Sequence, residues 1–88
     1  MGDDMVYRHH CTTVHRRTLE RLSHTTGIMA PNHTNAWSQA RALIRRFYNT
    51  STHILQDERL ELGVMVIEQR QVFQPIRTID YPRNRKKN

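Results

Sequence analysis

The chain has few of the residues that staple, break or anchor a fold. One cysteine among 88 residues excludes an internal disulfide and argues for a reducing compartment. Three glycines leave no glycine-rich loop of the kind that cradles phosphate. The longest apolar run, Val64 to Ile67, has four residues, far short of a membrane span. No secretory signal is expected, because Met1-Gly2-Asp3-Asp4 is acidic and no apolar core follows. Acidic residues are scarce through most of the chain: between Met5 and Gln56 the only one is Glu20. This acid-poor, Arg-, Ser- and Thr-rich stretch has the bias of mitochondrial import sequences. Asp3 and Asp4 count against a standard cleavable presequence, so a matrix location implies an internal or uncleaved signal.

What the chain does have is arginine. The net charge is +6, and 12 of the 14 basic residues are Arg. Guanidinium pairs bidentately with carboxylate or phosphate, whereas a merely solvated face is served as well by Lys. The composition therefore leans toward an acidic partner. The hydrophobic fraction of 36% and mean hydropathy of −0.79 allow only a modest core, which a partner would help to complete.

Apolar spacing predicts three helices. Tyr7, Cys11, Val14, Leu19 and Leu22 fall roughly on one side of a helix over residues 5–22. Residues 23–35, with Gly27 and Pro31, read as a loop. Thr34 or Asn35 would cap the next helix, 36–48, with Ala36, Ala40, Leu43 and Phe47 as its stripe, widened by Trp37, Ile44 and Tyr48. Residues 54–73 are ambiguous. Leu55, Leu62, Met65, Val66 and Val72 form a helical stripe, yet Leu60, Leu62, Val64 and Val66 alternate as in a strand. The length without a turn signal favours helix. Pro75 ends that element. The expectation is an all-α three-helix domain over residues 1–81 with a basic tail, 82–88; the alternative is α+β, two helices and a C-terminal β-hairpin.

Candidate chemistry is thin. Cys11 and His15 at helical i, i+4 spacing would suit two zinc ligands, but no second cluster completes a set, and none is expected to bind metal. Cys11 has no orienting carboxylate nearby in sequence, so no enzyme is expected. Asn32-His33-Thr34 and Asn49-Thr50-Ser51 match the glycosylation pattern, as chance allows in such a chain. The arginines have three uses: a solvated face, phosphate of rRNA, or an acidic helical protein. For the last, Arg41, Arg45 and Arg46 would act with Arg16 and Arg17. For RNA, Arg83, Arg85, Lys86 and Lys87 of the tail would make the contacts.

Ile44-Arg45-Arg46-Phe47-Tyr48-Asn49 and Leu60-Glu61-Leu62-Gly63-Val64-Met65-Val66-Ile67 resemble the second and third helices of the LYR-motif family of small mitochondrial proteins. Two registers offer a first motif. Val6-Tyr7-Arg8 keeps Tyr and Arg; Val14-His15-Arg16, followed by Leu19 and Arg21, keeps the spacing and is preferred. The resemblance implies a three-helix, non-enzymatic adaptor for the mitochondrial acyl carrier protein. The acyl-phosphopantetheine arm of that partner would enter a groove lined by Leu19, Leu22, Leu43, Phe47, Met65 and Val66. Arg16, Arg17, Arg41, Arg45 and Arg46 would face the carrier. The pair would serve as an accessory subunit or assembly factor in the mitochondrial matrix, and the basic tail, able to touch rRNA, points to the mitoribosome. The competing expectation is a small rRNA-binding ribonucleoprotein component.

Overall fold

A computed structural model describes residues 4–66, 70 and 72–81, with the side chain of Phe47 excepted. It overturns the three-helix expectation. The order of elements is β1 (Met5–His15), β2 (Arg21–Ala30), α1 (His33–Phe47), β3 (His53–Val66) and β4 (Val72–Ile79). The strands form one antiparallel sheet in the order β2-β1-β3-β4. The first element expected as a helix is a strand that turns into a second strand. The third is the long strand β3. The C-terminal hairpin of the α+β alternative is present within longer strands, but the first helix of that alternative is absent as well. Among the described residues, no helix is long and apolar enough to cross a membrane.

In β1 burial alternates: Tyr7, His9, Cys11 and Thr13 are buried, and their neighbours face the other side. The buried residues point toward α1. Ile28 and Ala30 of β2, Leu60 of β3 and Ile79 of β4 join them. The helix answers with Ala36, Trp37 and Ala40, and Leu43 packs against the edge of this core. Two alanines at the contact let the helix lie close to the sheet. Trp37 fills the remaining space, and its indole N–H donates to the Ile79 carbonyl at 3.2 Å.

Local signals explain the ends of each element. Asn32 caps α1, its side chain accepting from the Asn35 amide at 2.8 Å. The helix thus begins three residues before the expected Ala36. Arg45 and Arg46 occupy its last turn, where the carbonyl ends favour cations. Asn49 then builds the turn into β3, accepting from Ser51 N and Ser51 Oγ. Of the asparagines in the glycosylation-like triplets, Asn32 is therefore a helix cap and Asn49 a turn residue just past the helix end. Between β1 and β2, the His15 ring accepts from the amides of Arg17 and Thr18. Leu19 completes that turn with φ 64°, a left-handed conformation that costs a side-chain-bearing residue about 1–2 kcal/mol.

Two irregularities interrupt the pairing of β3 with its neighbours. The β1–β3 register shifts between Thr12 and Thr13, and the β3–β4 register shifts between Leu62 and Gly63. Pro75 does not end the chain's regular structure. It sits in the edge strand β4 beside the second shift, where a missing amide donor is tolerated. Gly63 is required by close approach: a Cβ there would meet the Phe73 ring and lie 2.5 Å from the Gln74 carbonyl oxygen. Gly27, in β2, has open space at the same position.

The two glycines should respond oppositely to alanine. Gly63→Ala is expected to destabilise by about 1–3 kcal/mol, since backbone cannot yield as a side chain can. Gly27→Ala is expected to be neutral or stabilising by up to about 1 kcal/mol. Urea unfolding followed by Trp37 fluorescence measures both.

Candidate functional site

Charges on the sheet fall into two groups, those with a carboxylate partner and those without. Glu58 and Glu61 of β3 hold most of the first group. Glu58 accepts from the buried His9 ring at 3.0 Å and from Arg41 Nε of α1 at 3.1 Å. Glu61, on the opposite face, contacts His10 at 2.8 Å, Arg8 at 3.6 Å and Arg59 at 3.8 Å. The hydrogen bond from His10 holds the Glu61 carboxyl below the usual range; partial burial opposes this, and Arg59, His10 and Arg8 reinforce it. Arg8 also stacks on the Phe73 ring, 4.5 Å from its centroid, above Gly63.

The Glu58 contacts close into a ring. His9 meets the Trp37 ring edge-to-face at 5.9 Å between centroids, and Trp37 meets Tyr81 likewise at 5.1 Å. Arg41 lies over the Tyr81 ring at 4.4 Å and returns to Glu58. Five residues from β1, α1, β3 and the segment after β4 thus support one another. Cys11 is buried next to this ring, and burial first, then the Glu58 charge, push its thiol pKa up. A thiol held protonated in this way is a poor nucleophile and a poor ligand. The Cys11–His15 pair considered for zinc is spread along a strand, about 13 Å between Cα atoms. Among the described residues, no group of three or more His, Cys, Asp or Glu side chains is arranged to hold a metal.

The second group of charges gathers at one end of the slab. The β1–β2 turn brings Arg16 and Arg17, and Arg21 opens β2 opposite Val14. The end of α1 brings Arg45 and Arg46. The loop between α1 and β3 joins the two sets. Arg16 donates from its amide to the Thr52 carbonyl at 2.7 Å and from Nε to the Thr50 carbonyl at 3.2 Å. Thr50 in turn lines a shallow groove with Arg45, Arg46, Tyr48 and Asn49. All five arginines are exposed, and none forms an ion pair among the described residues.

Four of the five arginines expected to face an acidic partner, Arg16, Arg17, Arg45 and Arg46, therefore come together. Arg41 does not join them, being held by Glu58 and Tyr81. The expected acyl groove is not assembled. Leu19 is on the β1–β2 turn and 70% exposed, Leu22 is on β2, and Leu43 packs against the core. Met65 and Val66 are at the far end of β3, and the Phe47 side chain lies outside the described residues. Of the LYR-like triplet, Val14 is a strand residue paired with Ile54, His15 caps the turn, and Arg16 braces the loop. Arg83, Arg85, Lys86 and Lys87 lie outside the described residues. Arg21, Asn49, Thr50 and Tyr81 are not among the residues expected to face a partner, although Arg21 belongs to the LYR-like register and Asn49 and Thr50 to a glycosylation-like triplet. Arg21 carried a usable signal, since it follows the same turn as Arg16 and Arg17.

Two measurements test this electrostatic layout. Glu61 has a depressed pKa in the folded state, so its contribution is present above the ordinary carboxylate range and is lost as pH falls through the folded value. Stability should drop below about pH 4, and Glu61→Gln should lower stability at neutral pH while shrinking that acid loss. The Cys11 thiol should react with a disulfide reagent slowly in the native protein and rapidly in denaturant.

Comparison with known proteins gives no family to which the arrangement can be referred: no family model, curated protein or solved structure matches the chain.

Proposed function

We propose that this is a non-enzymatic nucleic-acid-binding protein that grips phosphodiester backbone, as a small RNA-binding ribonucleoprotein component would. One observation carries the reading: Arg16, Arg17, Arg21, Arg45 and Arg46 gather at one pole, where the one nearby acid, Glu20 of the same turn, forms no ion pair with them among the described residues, while Glu58 and Glu61 engage Arg8, Arg41 and Arg59 elsewhere. Charges segregated in this way raise the local potential and attract a polyanion. Guanidinium groups held by a turn and a helix end suit phosphate oxygens, and each contact releases a counterion. The acid-poor stretch from Met5 to Gln56 supplies this whole pole, which gives that bias a use in the folded protein besides import.

The acyl carrier protein implied by the LYR resemblance is the competing occupant, since its acidic helix would meet the same charges. Only the electrostatic half of that reading carries over, because one helix offers no three-helix groove for an acyl-phosphopantetheine arm. A mitochondrial matrix location, and membership of a mitoribosome or another assembly, rest on composition and on that resemblance.

Anisotropy titrations of labelled oligouridylate at rising salt test the proposal. Four phosphate contacts on a single strand give a slope of about −3 in log K against log salt. The pairs Arg45→Gln with Arg46→Gln, and Arg16→Gln with Arg17→Gln, are each expected to weaken binding and to reduce the slope by about 1–1.5. Salt-insensitive binding, indifference to these variants, or tighter binding to acyl carrier protein than to RNA would overturn it.

A further inference from the structure

Beside α1, toward β4, lies a groove of about 410 Å³ lined by Thr34, Ser38, Arg41, Arg45, Trp37 and Tyr81. We infer that this groove stacks an unpaired nucleobase on Tyr81 and so makes the protein a single-strand binder; the inference rests on the nucleic-acid reading and specifies its substrate class.

Tyr81 follows the last strand, yet it is not left to solvent. Trp37 meets its ring edge-to-face, and Arg41 lies over it at 4.4 Å. Arg41 is itself fixed by Glu58 at 3.1 Å. The ring is therefore oriented from two sides while the residue remains 48% exposed, and with Arg41 over one face a base would lie against the opposite one. A flat surface held in place before binding loses little freedom when a base lies on it. Every base has a π-face, so such a platform takes bases without reading their edges.

Position ties this platform to the arginine pole. Arg45 follows Arg41 by one turn, about 6 Å along the helix axis. Arg45 lines this groove and also the next one, with Arg46, Tyr48, Asn49 and Thr50. A base on Tyr81 would thus have its own backbone heading toward guanidinium groups that have no carboxylate partner among the described residues. Arg41, already paired with Glu58, orients the ring instead of neutralising phosphate. Bases in a duplex have their faces covered by their neighbours, so only an unstacked nucleotide presents a face to this ring.

The test compares three probes on the intact chain: oligouridylate, an abasic oligomer of equal length, and duplex RNA. Trp37, the single tryptophan, reports occupancy through its contact with Tyr81. The wild-type protein is expected to bind oligouridylate about tenfold more tightly than the abasic oligomer, with quenching of Trp37 only by the former. Tyr81→Ala should abolish the difference, and Tyr81→Phe should keep it. Equal wild-type affinity for the two single strands, or a preference for duplex, would overturn the stacking platform while leaving phosphate binding at the pole intact. Failure to bind any of the three, or capture of polyglutamate in preference to them, would overturn both readings. The wild-type comparison needs no variant, so it stands even where Tyr81→Ala weakens the fold.

Discussion

The carboxylate of Glu58 is where sheet and helix are fastened together. It satisfies His9, whose ring is almost wholly buried at the centre of the sheet, and it anchors Arg41 of the helix. A buried ring nitrogen left without its acceptor would forfeit about 1–3 kcal/mol, a large part of the stability of so small a domain. Through Arg41 the same carboxylate sets Tyr81, and through His9 it supports Trp37. The helix is thus held by a polar clasp as well as by Ala36, Ala40 and Trp37. That helps to explain how a chain of low mean hydropathy keeps one helix against a four-stranded sheet.

The helix was legible in the sequence because its stripe is apolar throughout. The strands were hidden by the chemistry of their buried face. In β1 the inward positions are Tyr7, His9, Cys11 and Thr13, and two of these four are polar. Counting only apolar residues leaves Tyr7 and Cys11 four apart, which imitates a helix, and Val14 on the outer face completes the illusion. His9 is buried because Glu58 waits for it across the sheet, a partner that no local pattern reveals. In β3 the alternation Leu60, Leu62, Val64, Val66 was visible, but length argued for helix. The chain resolves that conflict with a strand of 14 residues, its pairing interrupted by register shifts on both sides. Gly63, awkward in a helix, has its physical reason in the Gln74 backbone pressing against it.

The arginines were legible as a population and not as a site. Spacing along a helix placed Arg41 with Arg45 and Arg46, and the fold separates them: the first is spent internally, the other two face outward. Arg16 and Arg17 reach the same pole through a turn rather than through a helix face. The leucines of the expected groove scatter because that groove required three parallel apolar stripes, whereas an antiparallel sheet sends neighbouring residues to opposite faces. Charge therefore outlasts the change of architecture better than shape does. The pole depends on the end of β1 meeting the start of β3, and these meet where His15 pairs with His53.

The position of β1 has a consequence for how the chain assembles. It precedes the other three strands in the chain, yet it lies inside the sheet, with β2 on one side and β3 on the other. Its partner β2 follows after a short turn, but β3 arrives only after the whole of α1. Until then a strand rich in backbone donors and acceptors has one unsatisfied edge. Closing that edge brings together segments far apart in the chain, a step that slows folding and invites pairing with other chains. In the folded protein α1 packs on the β1–β2 hairpin through Ile28, Ala30 and Tyr7, and docking there before β3 pairs would shorten the gap that remains to be closed. Within the sheet the β1–β3 pairs are the farthest apart in sequence, so they are the contacts whose closure costs the chain the most entropy.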